Sequence, residues 1–187
     1  MNDLTLVNYR TAKCEPLKSI TRLPKREAFA LAKKIYEENH RDTMDGIKRF
    51  GDEFEFYYHQ RIKAEKWLYE EFIARGGKPK TKHPLYFFVH GWNAVEKAWE
   101  GKVEYAVTSI SLREIDECDV SFVFGDSMVM VDKPDRKIFL KNDLHKYILS
   151  SGSIEKLLDN CFEKFNMRAI EAQIWSDESV RSLSGLD

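Results

Sequence analysis

Cysteine is scarce and poorly spaced for chemistry: Cys14, Cys118 and Cys161 are an odd number with no CxxC pair. A disulfide framework and a zinc ribbon are therefore excluded, and a reducing compartment is the simpler setting. The five histidines, at 40, 59, 83, 90 and 145, never form HExxH or another paired spacing. GxGxxG and P-loop patterns are also missing, so the common glycine-rich phosphate cradles are not encoded. With only 9 Gly and 5 Pro in 187 residues, the chain is neither collagen-like nor of low complexity. Its longest apolar runs, such as YFFV at 86–89, fall far short of the roughly 20 residues that span a bilayer. MNDLTLVNYR at the start lacks the basic region and apolar core of a signal peptide. A cytoplasmic location is expected, with no membrane association and no cofactor.

Apolar material is plentiful, at 43% hydrophobic residues, with 12 Phe, 8 Tyr and 4 Trp. That supplies one ordinary core, and residues 1–187 read as a single domain. The net charge of −1 is unevenly spread. Residues 1–83 carry 18 cations against 13 anions, and residues 84–187 carry 12 against 18. Eight cations crowd residues 9–34, namely Arg10, Lys13, Lys18, Arg22, Lys25, Arg26, Lys33 and Lys34. Glu27, Glu37 and Glu38 interrupt that surface, so a solvated amphipathic layer is expected and nucleic-acid binding is not.

Along the chain, residues 1–20 show no sustained period and read as an irregular or short-strand arm. Pro24 suits the first turn of a helix whose apolar face is Ala28, Leu31, Ala32, Ile35 and Tyr36. A short helical turn is expected around Met44 and Ile47. The strongest helical pattern covers 53–75, capped by Asp52, striped by Tyr58, Ile62, Leu68, Tyr69 and Phe72, and stopped at Gly76-Gly77 and Pro79. Strand character begins at Pro84 with LYFFV. Asn93 caps a brief helix with Glu96 completing a capping box, and 103–112 alternates as a strand. DVSFVF, SMVMV and RKIFL read as a three-stranded meander over 119–140, with Gly125-Asp126 as its first tight turn. Gly152 ends one short helix, and Ser153 caps a regular one through Phe165. AIEAQIW is the last strand, before a polar tail. Helices dominate the first half and strands the second. The fold class is therefore α+β, a mainly antiparallel sheet packed with helices.

Candidate functional residues are few. His90 ends a strand in HGWN, next to a helix start where Trp92 and Asn93 are placed to meet a ligand. Glu171 and Gln173 share one face of the last strand, opposite Ile170, Ala172 and Ile174. An acid there can serve as a general acid or base, although a solvated sheet residue is the plainer expectation. Asp116, Glu117, Asp119 and Asp126 are acidic but lack EF-hand spacing, and no metal site is expected.

The segments EKWLYEEFIARGGKPKTKHPLYFFV, SFVFGDSM and EAQIWSDESV resemble a bacterial protein family of unknown function, over roughly residues 60–180. A fainter likeness is to ADP-ribosyltransferase-like proteins, carried by His90, the hydroxyl-bearing TSIS at 108–111 and Glu171 in that order. The late motif departs from that family, having EAQ where two spaced acceptors ending in Glu are the pattern. The expected function is a small binding or regulatory protein, with a protein partner or a second copy of the chain as its counterpart. The alternative is a small enzyme with a cleft around His90 and Glu171, which the second resemblance would make ADP-ribosyltransferase-like.

Overall fold

The computed structural model describes residues 4–12, 15, 17–39, 49–100 and 104–184. Five strands, β1 (Thr5–Thr11), β2 (Leu85–Val89), β3 (Tyr105–Ser111), β4 (Val120–Phe124) and β5 (Ile170–Ile174), form one sheet in the order β3-β1-β2-β5-β4. Every strand pair in it is antiparallel. Seven helices are present among the described residues: α1 (Lys25–Asn39), α2 (Phe54–Ala74), α3 (Asn93–Trp99), α4 (Ser127–Met130), α5 (Lys141–Ser151), α6 (Ile154–Phe165) and α7 (Asp177–Ser184). The α+β class is the one expected from the segregation of elements in the sequence.

Register sorts the side chains. Leu85, Ile174 and Val120 line up across three strands, as do Phe87, Ala172 and Phe122. Alternate residues point to opposite faces of a strand, so these six share one face. Leu144 of α5, Leu157, Leu158 and Cys161 of α6, and Val180 of α7 pack on that face. The intervening residues, Tyr86, Gln173 and Ser121, then Phe88, Glu171 and Val123, form the opposite face. Ala64, Trp67, Leu68 and Phe72 of α2 cover it, together with Met130, Val131 and Ile138. The N-terminal end of α2 turns Phe54 and Tyr58 toward Ala28 and Ala32 of α1, with Phe29 edge-on to both rings. Covered from both sides, β5 buries all five of its residues.

Several sequence expectations are corrected here. The meander over 119–140 does not form, because β4 is its one regular strand. Gly125 turns the chain at φ 78°, a conformation that suits glycine. Asp126 then captures the Met128 N–H at 2.7 Å and starts the helical turn α4 where a second strand was expected. The RKIFL segment shares with β4 only the paired backbone bonds of a single bridge, Phe122 to Phe139, and the Phe139 ring packs on Phe122 and Phe124. The N-terminal arm is a full strand inserted between β3 and β2. The polar tail contains α7, which buries Val180. Asn93 is the first residue of α3 and not its cap, and α2 begins after Glu53 with no side-chain cap. Gly152, at φ 89°, and Ser153 do end α5 and cap α6 as expected. The helical turn at Met44 and Ile47, and Cys14, lie outside the described residues.

Candidate functional site

The polar groups of the α2-covered face converge on Glu171. Its position in β5 follows from the apolar alternation of Ile170, Ala172 and Ile174, which commits the odd-numbered residues to the other side. Glu171 is 1% exposed, so the solvated state expected for it does not hold. Gln173 Nε2 donates to Glu171 Oε1 at 2.8 Å. Ser121 Oγ donates to Gln173 Oε1 at 2.9 Å, and Trp175 Nε1 donates to Ser121 Oγ at 2.9 Å. Ser127, at the start of α4, also hydrogen-bonds the carboxylate. Burial pushes the Glu171 carboxyl up and nearby Asp126 adds to it, while Arg61, Ser127 and Gln173 oppose them. The net result is a pKa raised to about 7.

Arg61, from the middle of α2, stands above this floor. Its guanidinium lies 4.3 Å from the Tyr86 ring centroid and 5.8 Å from that of Tyr57, and Nη1 reaches Ser127 Oγ at 3.4 Å. Arg49 approaches the Tyr57 ring from a second direction, at 5.0 Å. Burial raises the Tyr57 phenol, but the two guanidiniums outweigh it and hold that phenol below its ordinary value. Burial dominates at Tyr86 and drives its phenol well above the usual range. Exposure is graded: Arg49, Tyr57, Arg61, Tyr86 and Asp126 are half-buried, while Ser127 and Glu171 beneath them are sealed.

The two arginines differ from Arg22 and Arg168 in their partners. Arg22 grips Asp177 through two oxygens at 2.7 and 2.8 Å, and Arg168 pairs with Glu155 and Asp159. Among the described residues no carboxylate is in ion-pair contact with Arg49 or Arg61, and Arg49 Nε is buried without a hydrogen-bond partner. Nε and Nη1 of Arg10, near the end of β1, share that lack.

A second buried carboxylate adjoins the first network. Glu65 of α2, 2% exposed, accepts from Thr21 Oγ1 at 2.9 Å and Tyr86 Oη at 3.1 Å, and sits 2.6 Å from His83 Nδ1. Tyr86 thus stands between the two carboxylates. Arg61, Glu65, Tyr86 and Ser127 were not singled out from the sequence as site residues. The one available signal was a charged residue placed on the apolar stripe of α2, at Glu65 next to Ala64, Trp67 and Leu68.

The residues named from the sequence are dispersed. His90, at φ 61°, turns away from its strand and places Nε2 3.0 Å from Glu155 of α6, on the side opposite Glu171. The structure does not bring His90 and Glu171 together. Trp92 rests on Phe88, with ring centroids 4.8 Å apart, and its backbone N–H donates to Tyr9 Oη. Asn93 is exposed. TSIS lies on edge strand β3, three strands from β5 and roughly 14 Å away at normal strand spacing. Glu171 and Gln173 are in contact. In the acidic group, Asp119 is buried against Lys80 and Ser179, Glu117 bonds Asn142, and Asp126 caps α4. Among the described residues no three His, Cys, Asp or Glu side chains gather as a metal site, and no helix is long and apolar enough to cross a membrane.

Two shallow clefts lie elsewhere. One of about 280 Å³ is floored by Trp67 between Lys63, Lys66 and Arg136, and one of about 310 Å³ runs between Met130, Lys133, Phe165 and Met167. Neither is lined by Arg61 or Glu171. No known family, no curated protein and no solved structure matches the chain.

Proposed function

We propose that this is a binding protein for a small ligand bearing an oxyanion, held by Arg49 and Arg61 over Tyr57 with Glu171 as the floor. The observation that carries the reading is the pair of half-buried guanidiniums without a carboxylate partner among the described residues, one with a buried unbonded Nε. Sequestering such charges uncompensated is costly, and a phosphate or carboxylate accepts from a guanidinium in a bidentate fork. Asp126 supplies one opposing charge, and Glu171, with a pKa near 7, is only partly ionised at neutral pH. The cluster therefore carries a net positive charge that an anion would balance.

Thermal unfolding with inorganic phosphate, pyrophosphate and acetate tests this. A ligand at a hundred times its Kd stabilises by about 2.7 kcal/mol, or roughly 5–10 °C for a chain of this size. Arg49→Gln and Arg61→Gln should each abolish the shift. A flat response to all three anions, or the same response in both variants, rejects the reading. Residues 1–187 are taken as one domain in this proposal, and limited proteolysis yielding two stable halves would contradict that.

A specific observation favours a second reading. A carboxyl that titrates near 7 is matched to general acid–base work at neutral pH. If a bound ligand is turned over, Glu171→Gln should end turnover and leave binding intact. Release of nicotinamide from NAD is the assay for the ADP-ribosyltransferase-like variant of this reading. Of the three elements behind that likeness, His90, TSIS and Glu171, only Glu171 lies in the cluster.

A further inference from the structure

Four buried side chains beneath Arg61 form a hydrogen-bonded row with one consistent direction. An indole nitrogen donates and never accepts. Trp175 Nε1 therefore gives its proton to Ser121 Oγ. The serine hydroxyl has a single proton of its own, and Gln173 is its other partner among the described residues. The Gln173 atom facing it must then be the carbonyl oxygen Oε1. This fixes the amide, and Nε2 is left to donate to Glu171 Oε1. Each donor is polarised by the one behind it. All four side chains are at most 1% exposed, so bulk solvent does not compete for these bonds.

We propose that Trp175, Ser121 and Gln173 act as positioning residues that reserve Glu171 Oε1 as a standing acceptor, so that Oε2, the oxygen outside the row, carries and hands over the proton. The Ser127 hydroxyl, able to donate or to accept, is a second hydrogen-bond partner of that carboxyl. The site then has a defined acid atom. As the O–H bond at Oε2 breaks, its electron pair stays on the carboxylate and the proton forms a bond to a lone pair of a ligand that reaches the floor. The reverse transfer restores both. The charged and titratable groups facing Glu171 are Arg61 from α2, Asp126 from the turn before α4 and Tyr86 from β2. None of them belongs to the row. If the Gln173 amide turned over, its carbonyl would oppose Oε1, two acceptors face to face. Only a proton on Oε1 relieves that, so the flipped state binds the proton more tightly and on the wrong oxygen.

The inference rests on Glu171 being the acid of the proposed site, and its test needs no ligand. In the full-length chain with ¹³C-labelled glutamate, the Glu171 carboxyl resonance is followed against pH and assigned by its loss in Glu171→Gln. Side-chain amide resonances of Gln173 are recorded alongside. Ser121→Ala removes one oxygen from the row. It should raise the Glu171 midpoint by about one pH unit, a tenfold tighter hold on the proton, and broaden or double the Gln173 amide signals. Trp175→Phe should act in the same direction. Because Trp175 also stacks on Phe72 at 5.6 Å, Ser121→Ala remains the deciding variant if Trp175→Phe does not fold. Ser121→Thr restores the hydroxyl and should restore the midpoint. A Ser121→Ala midpoint equal to wild type, with one sharp set of Gln173 signals, overturns the proposal. Absence of phosphate binding together with the midpoint shift would reject the anion reading and leave this inference standing.

Discussion

The two faces of the sheet are buried alike but built differently. Toward α5, α6 and α7, strands β2, β4 and β5 present Leu85, Phe87, Val89, Val120, Phe122, Ile170, Ala172 and Ile174, a cluster without a charged side chain. Toward α2 the same strands present Tyr86, Ser121, Gln173 and Glu171, with Val123 and Phe88 among them. The first face does what apolar burial does everywhere, at roughly 25 cal/mol per Å² removed from water. The second spends part of its covered area on groups that must be hydrogen-bonded to be tolerated. Burial and hydrophobicity are thus separable on a single strand, residue by residue. On the second face Trp175 and Val123 pack under α2 as an apolar cluster, while the polar groups add little net stability and hold the chemistry.

The sharpest way to break the comparison is to move a carboxylate by one position. Ala172→Asp sets an acid between Phe87 and Phe122 with no donor near it, and the cost should exceed about 5 kcal/mol. Circular dichroism of the variant should show no cooperative unfolding, although residue 171 beside it carries a carboxylate in the native protein. A smaller effect is expected from Glu65→Ala, which strands Thr21, Tyr86 and His83 under α2. A loss of about 3 kcal/mol in urea unfolding is predicted. If the loss is under 1 kcal/mol, that polar network is dispensable and the distinction between the faces weakens.

The pH dependence of stability comes next. The Glu171 pKa of about 7 is raised from an ordinary 4.5. The stability it contributes is therefore fully present below about pH 4.5 and is lost as pH rises through 7. The two values imply a loss of about 3 kcal/mol between those limits. Glu171→Gln, which mimics the neutral acid, should remove this slope and be the more stable form at pH 8.5. Urea midpoints at pH 5.5 and 8.5 check it. A slope unchanged in the variant means that another group is responsible. The smallest effect belongs to His90, whose pair with Glu155 is about half exposed on both sides. Asparagine tolerates the same left-handed backbone, so His90→Asn should change stability by less than about 0.5 kcal/mol.

Much of the architecture was legible in the sequence because it rests on period. The apolar spacing of α6 and the cap at Ser153 are local signals, and so are the bounds of α2. β1 was not legible, since a strand with partners on both sides is defined by residues 88–89 and 105–111 and not by itself. The meander failed because one side-chain hydrogen bond from Asp126 redirected the chain, a choice that alternation does not record. Glu171 and Gln173 were visible as a polar pair on an apolar strand. Their burial was not, because it depends on α2 lying across them, over ninety residues earlier in the chain. His90 carried the local marks of a functional residue, but its backbone twist sends the ring to the other side of the sheet.

The place of β1 also imposes an order in time. Among the described residues it is the only strand that pairs with β3 and it joins β3 to the rest of the sheet, yet its first partner follows about eighty positions later. At typical synthesis rates of about 5–20 residues per second, residues 5–11 wait roughly 4–16 s before β2 exists. Closure of the sheet then requires contacts of long sequence separation, which places folding in the slow, millisecond-to-second range. During that interval a segment carrying Leu6, Val7 and Tyr9 is without its partners, and is open to a holdase that binds short apolar strands.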